Sequence, residues 1–277
     1  MNEQKSRPFR HNTDLGQNFL VDPSVLQFIL EASAPGPEET ILEIGAGQGV
    51  LTRQLALSGC RRLYSLEIDR RLEGDLATLE KAFSNLKVFW GDAVTFDYGS
   101  NFPDPPQKVI ANIPYHITTP LIWKLLEDLA PRGLRYLLLM VQKEAADRLT
   151  SPAGTKMRYP LGVTLELMGH ARRLRRVPPG AFRPAPRVDS ALIEIGIDRR
   201  QDLAGDRSWR RLLKAAFGQR RKTLANNLGA SFSLSREPLL SLFSDLDMDG
   251  KIRAEELDGD QWLRLAQRLT PWLPPSR

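Results

Sequence analysis

The sequence has one cysteine, Cys60, and three histidines, His11, His116 and His170. A lone cysteine excludes a disulfide framework and any multi-cysteine zinc or iron–sulfur centre, and so few histidines leave little for a histidine-built metal site. No metal is expected, and a reducing cytoplasmic location suits the composition. Long apolar runs are also missing. The longest, Leu137 to Val141 within LRYLLLMV, falls well short of the roughly 18 residues that a membrane span needs. The N-terminus carries no hydrophobic signal region, so neither secretion nor a membrane partner is expected. What is present is a chain of 277 residues, 42% of them hydrophobic, enough for a packed core. Its 39 Lys and Arg against 33 Asp and Glu leave a net charge of +6, which favours a polyanionic partner without naming one.

Residues 1–14 are polar and aperiodic and read as a flexible arm. From 15 to 197 short β-like runs alternate with helical ones. TILEIGAG, RLYSLEID, LKVFWGDA, KVIANIP and LRYLLLMV are strand candidates; GVLTRQLALSG, RRLEGDLATLEKAF and TPLIWKLLEDLA have helical spacing. This alternation predicts an α/β fold, a mainly parallel sheet covered by helices on both faces. GVTLELMG and SALIEIGI are read as further strands, separated by the Arg- and Pro-rich stretch 171–187. From 198 to 277 a polar linker leads into SWRRLLKAAFGQ, RRKTLANNLG, REPLLSLFSDL and QWLRLAQRLTPW. Their spacing predicts a small all-α C-terminal domain.

The first strand ends in Glu43-Ile44-Gly45-Ala46-Gly47-Gln48-Gly49 and runs into a helix. Glycines at such a turn let the backbone approach a ligand. The spacing is G-x-G-x-G, neither the dinucleotide G-x-G-x-x-G nor a phosphate-binding loop. Glu67 ends the second strand, placed to accept hydrogen bonds from ribose hydroxyls. Asp92 ends the third, placed to accept one from an adenine amine. Each alone is also an ordinary helix cap; as an ordered set with Gly45 and Gly47 they suit an adenosine without phosphate, and so S-adenosylmethionine.

The fourth strand ends in Asn112-Ile113-Pro114-Tyr115. An adenine exocyclic amine is a poor nucleophile because its lone pair is delocalised into the ring. Acceptors at the Asn112 carboxamide oxygen and the Ile113 carbonyl favour a tetrahedral nitrogen whose lone pair points at a methyl group. Pro114 stiffens the backbone, and Tyr115 offers a ring on which a flipped base stacks. The bland alternative is a turn after a strand, where Asn and Pro are common.

These residues, with LGQNFL (15–20), NIPYHITTPLIWKLL (112–126), MVQKEAADRL (140–149), VPPGAFRPAPRVDSAL (177–192) and AFGQRRKTL (216–224), give a chain that resembles the bacterial small-subunit ribosomal RNA adenine dimethyltransferases. The resemblance implies a Rossmann-like class I methyltransferase domain over 15–197 and a helical RNA- and ribosome-binding domain over 198–277. It also implies that Asn18, Leu20, Gly45, Glu67, Asp92 and Asn112 contact S-adenosylmethionine and that Phe182 stacks on the target adenine opposite Tyr115. The implied reaction places two methyl groups on each of two adjacent adenosines in the hairpin near the 3′ end of small-subunit RNA, within a pre-assembled subunit. The protein is expected to act as a monomer. Where that family has a Tyr-Gly pair before Leu161, this chain reads Met157-Arg158-Tyr159-Pro160, so a differently shaped loop is expected there.

Stretch 171–187 holds six arginines, Arg172, Arg173, Arg175, Arg176, Arg183 and Arg187, and no carboxylate. No acid lies between Asp206 and Glu237, a segment that includes Arg220, Arg221 and Lys222. Such clusters supply phosphate contacts that position an RNA; the alternative is a solvated basic face. Asp245 to Glu256 matches the EF-hand pattern D-x-D-x-D-G-x₅-E, but a single copy with Gly259 interrupting the exiting helix argues against calcium. His116 is expected to be structural or RNA-contacting, and Cys60 a small core residue. Two other functions fit the same fold: a non-catalytic RNA-binding assembly or transcription factor, and a resistance methylase acting on large-subunit RNA.

Overall fold

The computed structural model describes residues 17–198 and 203–272; the arm expected at 1–14 lies outside them. Five strands, β2 (Thr40–Ile44), β3 (Arg62–Glu67), β4 (Leu86–Trp90), β5 (Lys108–Asn112) and β6 (Tyr136–Gln142), pair in parallel. Two more, β7 (Gly169–Val177) and β9 (Ser190–Ile197), complete the sheet antiparallel, in the order β4-β3-β2-β5-β6-β9-β7. Separately, β1 (Phe19–Leu20) pairs with β8 (Phe182–Arg183), setting Phe19 opposite Arg183 and Leu20 opposite Phe182.

All five residues of β2 are buried, as a strand covered on both faces requires. Alternation sorts its side chains. Ile41 packs with Val25 of α1 (Pro23–Ser33), Leu55 of α2 (Val50–Leu57) and Leu76 of α3 (Glu73–Ala82). Its neighbour Leu42 packs with Tyr98 of α4 (Tyr98–Asn101) and Leu121 and Leu125 of α5 (Thr118–Leu129) on the opposite face. Helix α1 starts where Asp22 accepts the Ser24 N–H at 2.8 Å ahead of Pro23 at the first turn. After β6 come α6 (Lys143–Leu149) and α7 (Pro160–Met168).

Two expectations fail here. GVTLELMG is helix α7, not a strand: Pro160 opens it, and its nearly all-apolar composition hides the period because the helix is buried among α6, the sheet and the helical tail. The arginine stretch in turn is no mere connector, since 169–177 forms β7 and its arginines stand on a sheet-edge strand.

The tail is helical throughout its described length: α8 (Arg207–Ala216), α9 (Leu224–Phe232), α10 (Arg236–Asp245) and α11 (Gly259–Leu269). In α8, Trp209, Leu212, Leu213 and Ala216 are buried, while Arg207, Arg211 and Lys214 face solvent. The expected helix over RRKTLANNLG is shorter than its pattern. It begins at Leu224 under the Thr223 cap and leaves Arg220, Arg221 and Lys222 in the preceding turn. Trp209 Nε1 donates to Thr164 Oγ1 at 2.9 Å, joining the tail to α7. No helix among the described residues is long and apolar enough to cross a membrane.

Candidate active site

Strand β2 has β3 on one side and β5 on the other, so successive crossovers diverge at its carboxyl end. Open α/β sheets bind ligands in the crevice this creates. Ile44 pairs with Ala111, which brings Gly45 beside Asn112. A cleft of about 820 Å³, counting its open mouth, lies there and is lined by Gln17, Asn18, Gly45, Gly47, Glu67 and Asp92. Asn112, Ile113, Pro114, Tyr115 and Phe182 line it as well.

Gly47 adopts φ +55°, and a Cβ on it would lie 2.8 Å from the Phe19 ring. Only glycine combines that conformation with so close an approach. Its N–H donates to Glu67 Oε2 at 2.8 Å, while Glu67 Oε1 accepts the N–H groups of Ile68 and Asp69, both at 2.9 Å. Glu67 thus ties the glycine turn to the end of β3 and is 5% exposed, at the cleft wall. Asp92 is exposed; its Oδ1 accepts the Val94 N–H at 2.8 Å. Sequence reasoning missed Gln17, whose amide donates to Asp69 Oδ2 at 2.7 Å. Arg71 and Gln17 together hold the Asp69 carboxyl down at about 2. Leu20 turns away into the hydrophobic cluster with Phe182, as alternation along β1 demands once Phe19 faces Gly47. Any contact of Leu20 with a ligand in the cleft therefore falls to its backbone.

Asn112 Nδ2 donates to the Asn18 carbonyl at 2.9 Å. Because the amide is planar, its Oδ1 must point the other way, free to accept. The Ile113 N–H is held by the Met140 carbonyl at 3.0 Å, and the Tyr115 hydroxyl shares a hydrogen bond of 3.0 Å with Ser190 Oγ. Phe182 is 1% exposed and lines the cleft. Beneath the glycine turn, Glu43 is buried, accepting Thr52 Oγ1 and Ser65 Oγ on one oxygen at 2.6 and 2.7 Å. Burial pushes its carboxyl up to about 7, and the nearby Glu67 charge adds to the rise.

The family described as ribosomal RNA adenine dimethylase matches residues 8–270 of this chain. The chain belongs to that family. It is 39% identical over 259 residues to a ribosomal RNA small subunit methyltransferase A of Syntrophotalea carbinolica, covering 92% of this chain and 96% of the relative. A Bacillus pumilus protein of the same name is 34% identical over 275 residues, 96% and 93% of the two chains. Among solved structures, a dimethyladenosine transferase from Plasmodium falciparum superposes with a TM-score of 0.81 at 26% identity, over 92% of this chain and 98% of that one. The 23S rRNA methyltransferase ErmE gives 0.68 at 25%, over 91% and 99%. The fold is thus the Rossmann-like one of class I methyltransferases, and the protein is an rRNA adenine dimethyltransferase.

In this dimethyltransferase the sheet-edge arginines have partners that the local sequence hides. Arg172 pairs with Glu194 at 2.7 Å, Arg173 with Asp147 at 2.9 Å and Arg176 with Asp189 at 2.6 Å. Arg175 lies over the Phe28 ring and donates to Ser24, and Arg183 donates to the Phe182 carbonyl. Arg175 is half-buried, whereas Arg172, Arg173, Arg176 and Arg183 stay exposed despite their partners, as are Arg187, Arg221 and Lys222. Arg220 lies over the Tyr159 ring and donates to the Lys156 carbonyl. The EF-hand-like segment uses its acids locally: Asp245 pairs with Arg268 at 3.1 Å, Asp249 accepts the Lys251 N–H and Glu256 the Arg253 N–H. Cys60 is buried, with its thiol against the Leu55 carbonyl, and His116 is exposed.

Proposed function

We propose that the protein dimethylates the exocyclic amines of two adjacent adenosines in the hairpin near the 3′ end of small-subunit ribosomal RNA, acting as a cytoplasmic monomer on a pre-assembled small subunit. The names of its curated relatives support the small-subunit target over the large-subunit alternative. An intact acceptor, stacking ring and carboxylates argue against a retired, non-catalytic factor.

The cleft suits S-adenosylmethionine: a glycine turn that brings the backbone close, Glu67 for ribose hydroxyls, and the exposed Asp92 for the adenine amine. When bound, this cofactor supplies an electrophilic methyl group. The chain's own part is positioning. Asn18 holds the Asn112 amide so that Oδ1 accepts one amine hydrogen of the target base, and the Ile113 carbonyl accepts the other. Those contacts favour a pyramidal nitrogen with its lone pair available. Pro114 fixes the chain before Tyr115, whose ring, pinned through Ser190, stacks on the base with Phe182 opposite. Water exclusion by these rings suits a reaction in which positive charge disperses. Arg172, Arg173, Arg175, Arg176, Arg183, Arg187, Arg220, Arg221 and Lys222 supply backbone phosphate contacts, with the helical segment 198–277 as the ribosome-contacting unit.

The orientation of Asn112 by Asn18 is the observation that carries this reading. It is tested with labelled S-adenosylmethionine and small subunits lacking the modification: dimethyladenosine appears near the RNA 3′ end with the wild-type protein, and labelling of large-subunit RNA alone overturns the assignment.

A further inference from the structure

Beside the reaction cleft lies a second cavity, of about 960 Å³ counting its open mouth. Tyr115 lines both. Tyr159, from the loop whose sequence sets this chain apart, and Trp123 of α5 line this second cavity as well. That loop is anchored. Arg158 is fully buried, paired with Glu166 at 2.6 Å, and also donates to the Ser151 carbonyl. The guanidinium carbons of Arg148 and Arg220 lie 4.8 and 4.4 Å from the Tyr159 ring centroid, and that of Arg210 lies 4.7 Å from the Trp123 ring.

Polar residues also line this space. Thr118 is 2% exposed, and its Oγ1 has no hydrogen-bond partner among the described residues. Arg148 Nε is likewise buried and unsatisfied, while its Nη2 pairs with Glu144, which also lines the cavity. A buried polar group left unpaired is costly, which points to a partner that arrives with a ligand. Gln142 adds a carboxamide with both donor and acceptor. Aromatic side chains, a guanidinium and a few polar groups form the setting in which single-stranded RNA bases are held.

We propose that this cavity receives the nucleobase next to the target adenosine, held unstacked on the far side of Tyr115 while the target occupies the reaction cleft. Arg220, against the Tyr159 ring, places positive charge near the phosphates that join the two nucleotides, whereas Arg148 and Arg210 are already paired with Glu144 and Glu127. Each base then has its own pocket, and the site recognises a dinucleotide step, not a lone adenosine. This assignment rests on the function proposed above.

The test crosses two changes in a cycle. Small subunits are reconstituted with an abasic residue on the 5′ or the 3′ side of the first target adenosine and compared with unaltered subunits. Each is methylated by the wild type, by Thr118→Val, which removes the unpaired hydroxyl with little change of shape, and by Tyr159→Ala. For the wild type, loss of the neighbouring base on one side lowers kcat/KM roughly 5- to 150-fold. The two variants are slower on unaltered subunits, yet lose little more on the abasic ones, while their S-adenosylmethionine affinity, measured by calorimetry, stays that of the wild type. Multiplicative losses in both variants, or no effect of either abasic residue, overturn the cavity assignment alone. Absence of methyl transfer to unaltered subunits by the wild type overturns the functional reading and this assignment with it.

Discussion

The Asn112 amide nitrogen donates to the Asn18 carbonyl at 2.9 Å, across a sequence separation of 94 residues. The segment before α1 therefore sets which face of the carboxamide meets the substrate. Replacing Asn112 with Ala removes the acceptor, and replacing it with Asp turns a donor into an acceptor facing the Asn18 carbonyl. Both variants should lower kcat on the order of 10²-fold or more, the scale seen when one oriented polar group is removed from a reaction centre. Single-turnover transfer of label to unmethylated small subunits measures this; equal labelling by wild type and Asn112→Ala would remove Asn112 from the mechanism.

Glu67 accepts three backbone N–H groups, one of them from Gly47. In Glu67→Gln the carboxamide nitrogen must face at least one of those donors. The cost of such a mismatch, ~1–3 kcal/mol, falls on the glycine turn as well as on ribose recognition. Calorimetric titration with S-adenosylmethionine should therefore show a Kd raised roughly 5- to 150-fold. An unchanged Kd would mean that Glu67 is merely a structural tie.

Much of this site was legible because its parts are local. The glycine turn, the acids after β3 and β4, and Asn112-Ile113-Pro114-Tyr115 each end a strand whose apolar run is plain in the sequence, and parallel pairing gathers strand ends on one edge. What stayed hidden depends on contacts between distant segments. The pairing of β1 with β8 turns Leu20 inward, and nothing local to LGQNFL announces it. The acid-free reading of 171–187 failed to anticipate Glu194, Asp147 and Asp189, which the sheet and α6 bring alongside. Helix α7 is hidden because a nine-residue segment with only Thr164 and Glu166 as polar side chains has no polar face to reveal its period.

Glu43 makes a pH prediction. Its carboxyl rises from an ordinary value near 4.5 to about 7 in the fold, so the folded state holds the proton more tightly than the unfolded one. That preference stabilises the fold fully below about 4.5 and is lost as pH rises through about 7, a loss of ~3 kcal/mol. Glu43→Gln keeps an oxygen for Thr52 and Ser65 and has no proton to lose. Urea unfolding between about pH 5 and pH 8.5 should show wild-type stability falling relative to Glu43→Gln. Parallel curves would mean that Glu43 is not the group responsible.

Arg221 and Lys222 sit exposed in the turn before α9, while neighbouring Arg220 is engaged with Tyr159 and Lys156. Arg220 is therefore the poorer probe of phosphate contact, since its loss also disturbs a ring. Replacing Arg221 and Lys222 with Ala should weaken binding to the small subunit, and the slope of log Kd against log salt should flatten by about one for each phosphate contact removed. Cofactor affinity should not move, because neither side chain lines the cleft. Equilibrium binding at several salt concentrations separates the outcomes. A weaker but equally salt-dependent complex would mean that the turn contributes shape, not charge, and a tail held to the ribosome by other residues would leave both Kd and slope unchanged.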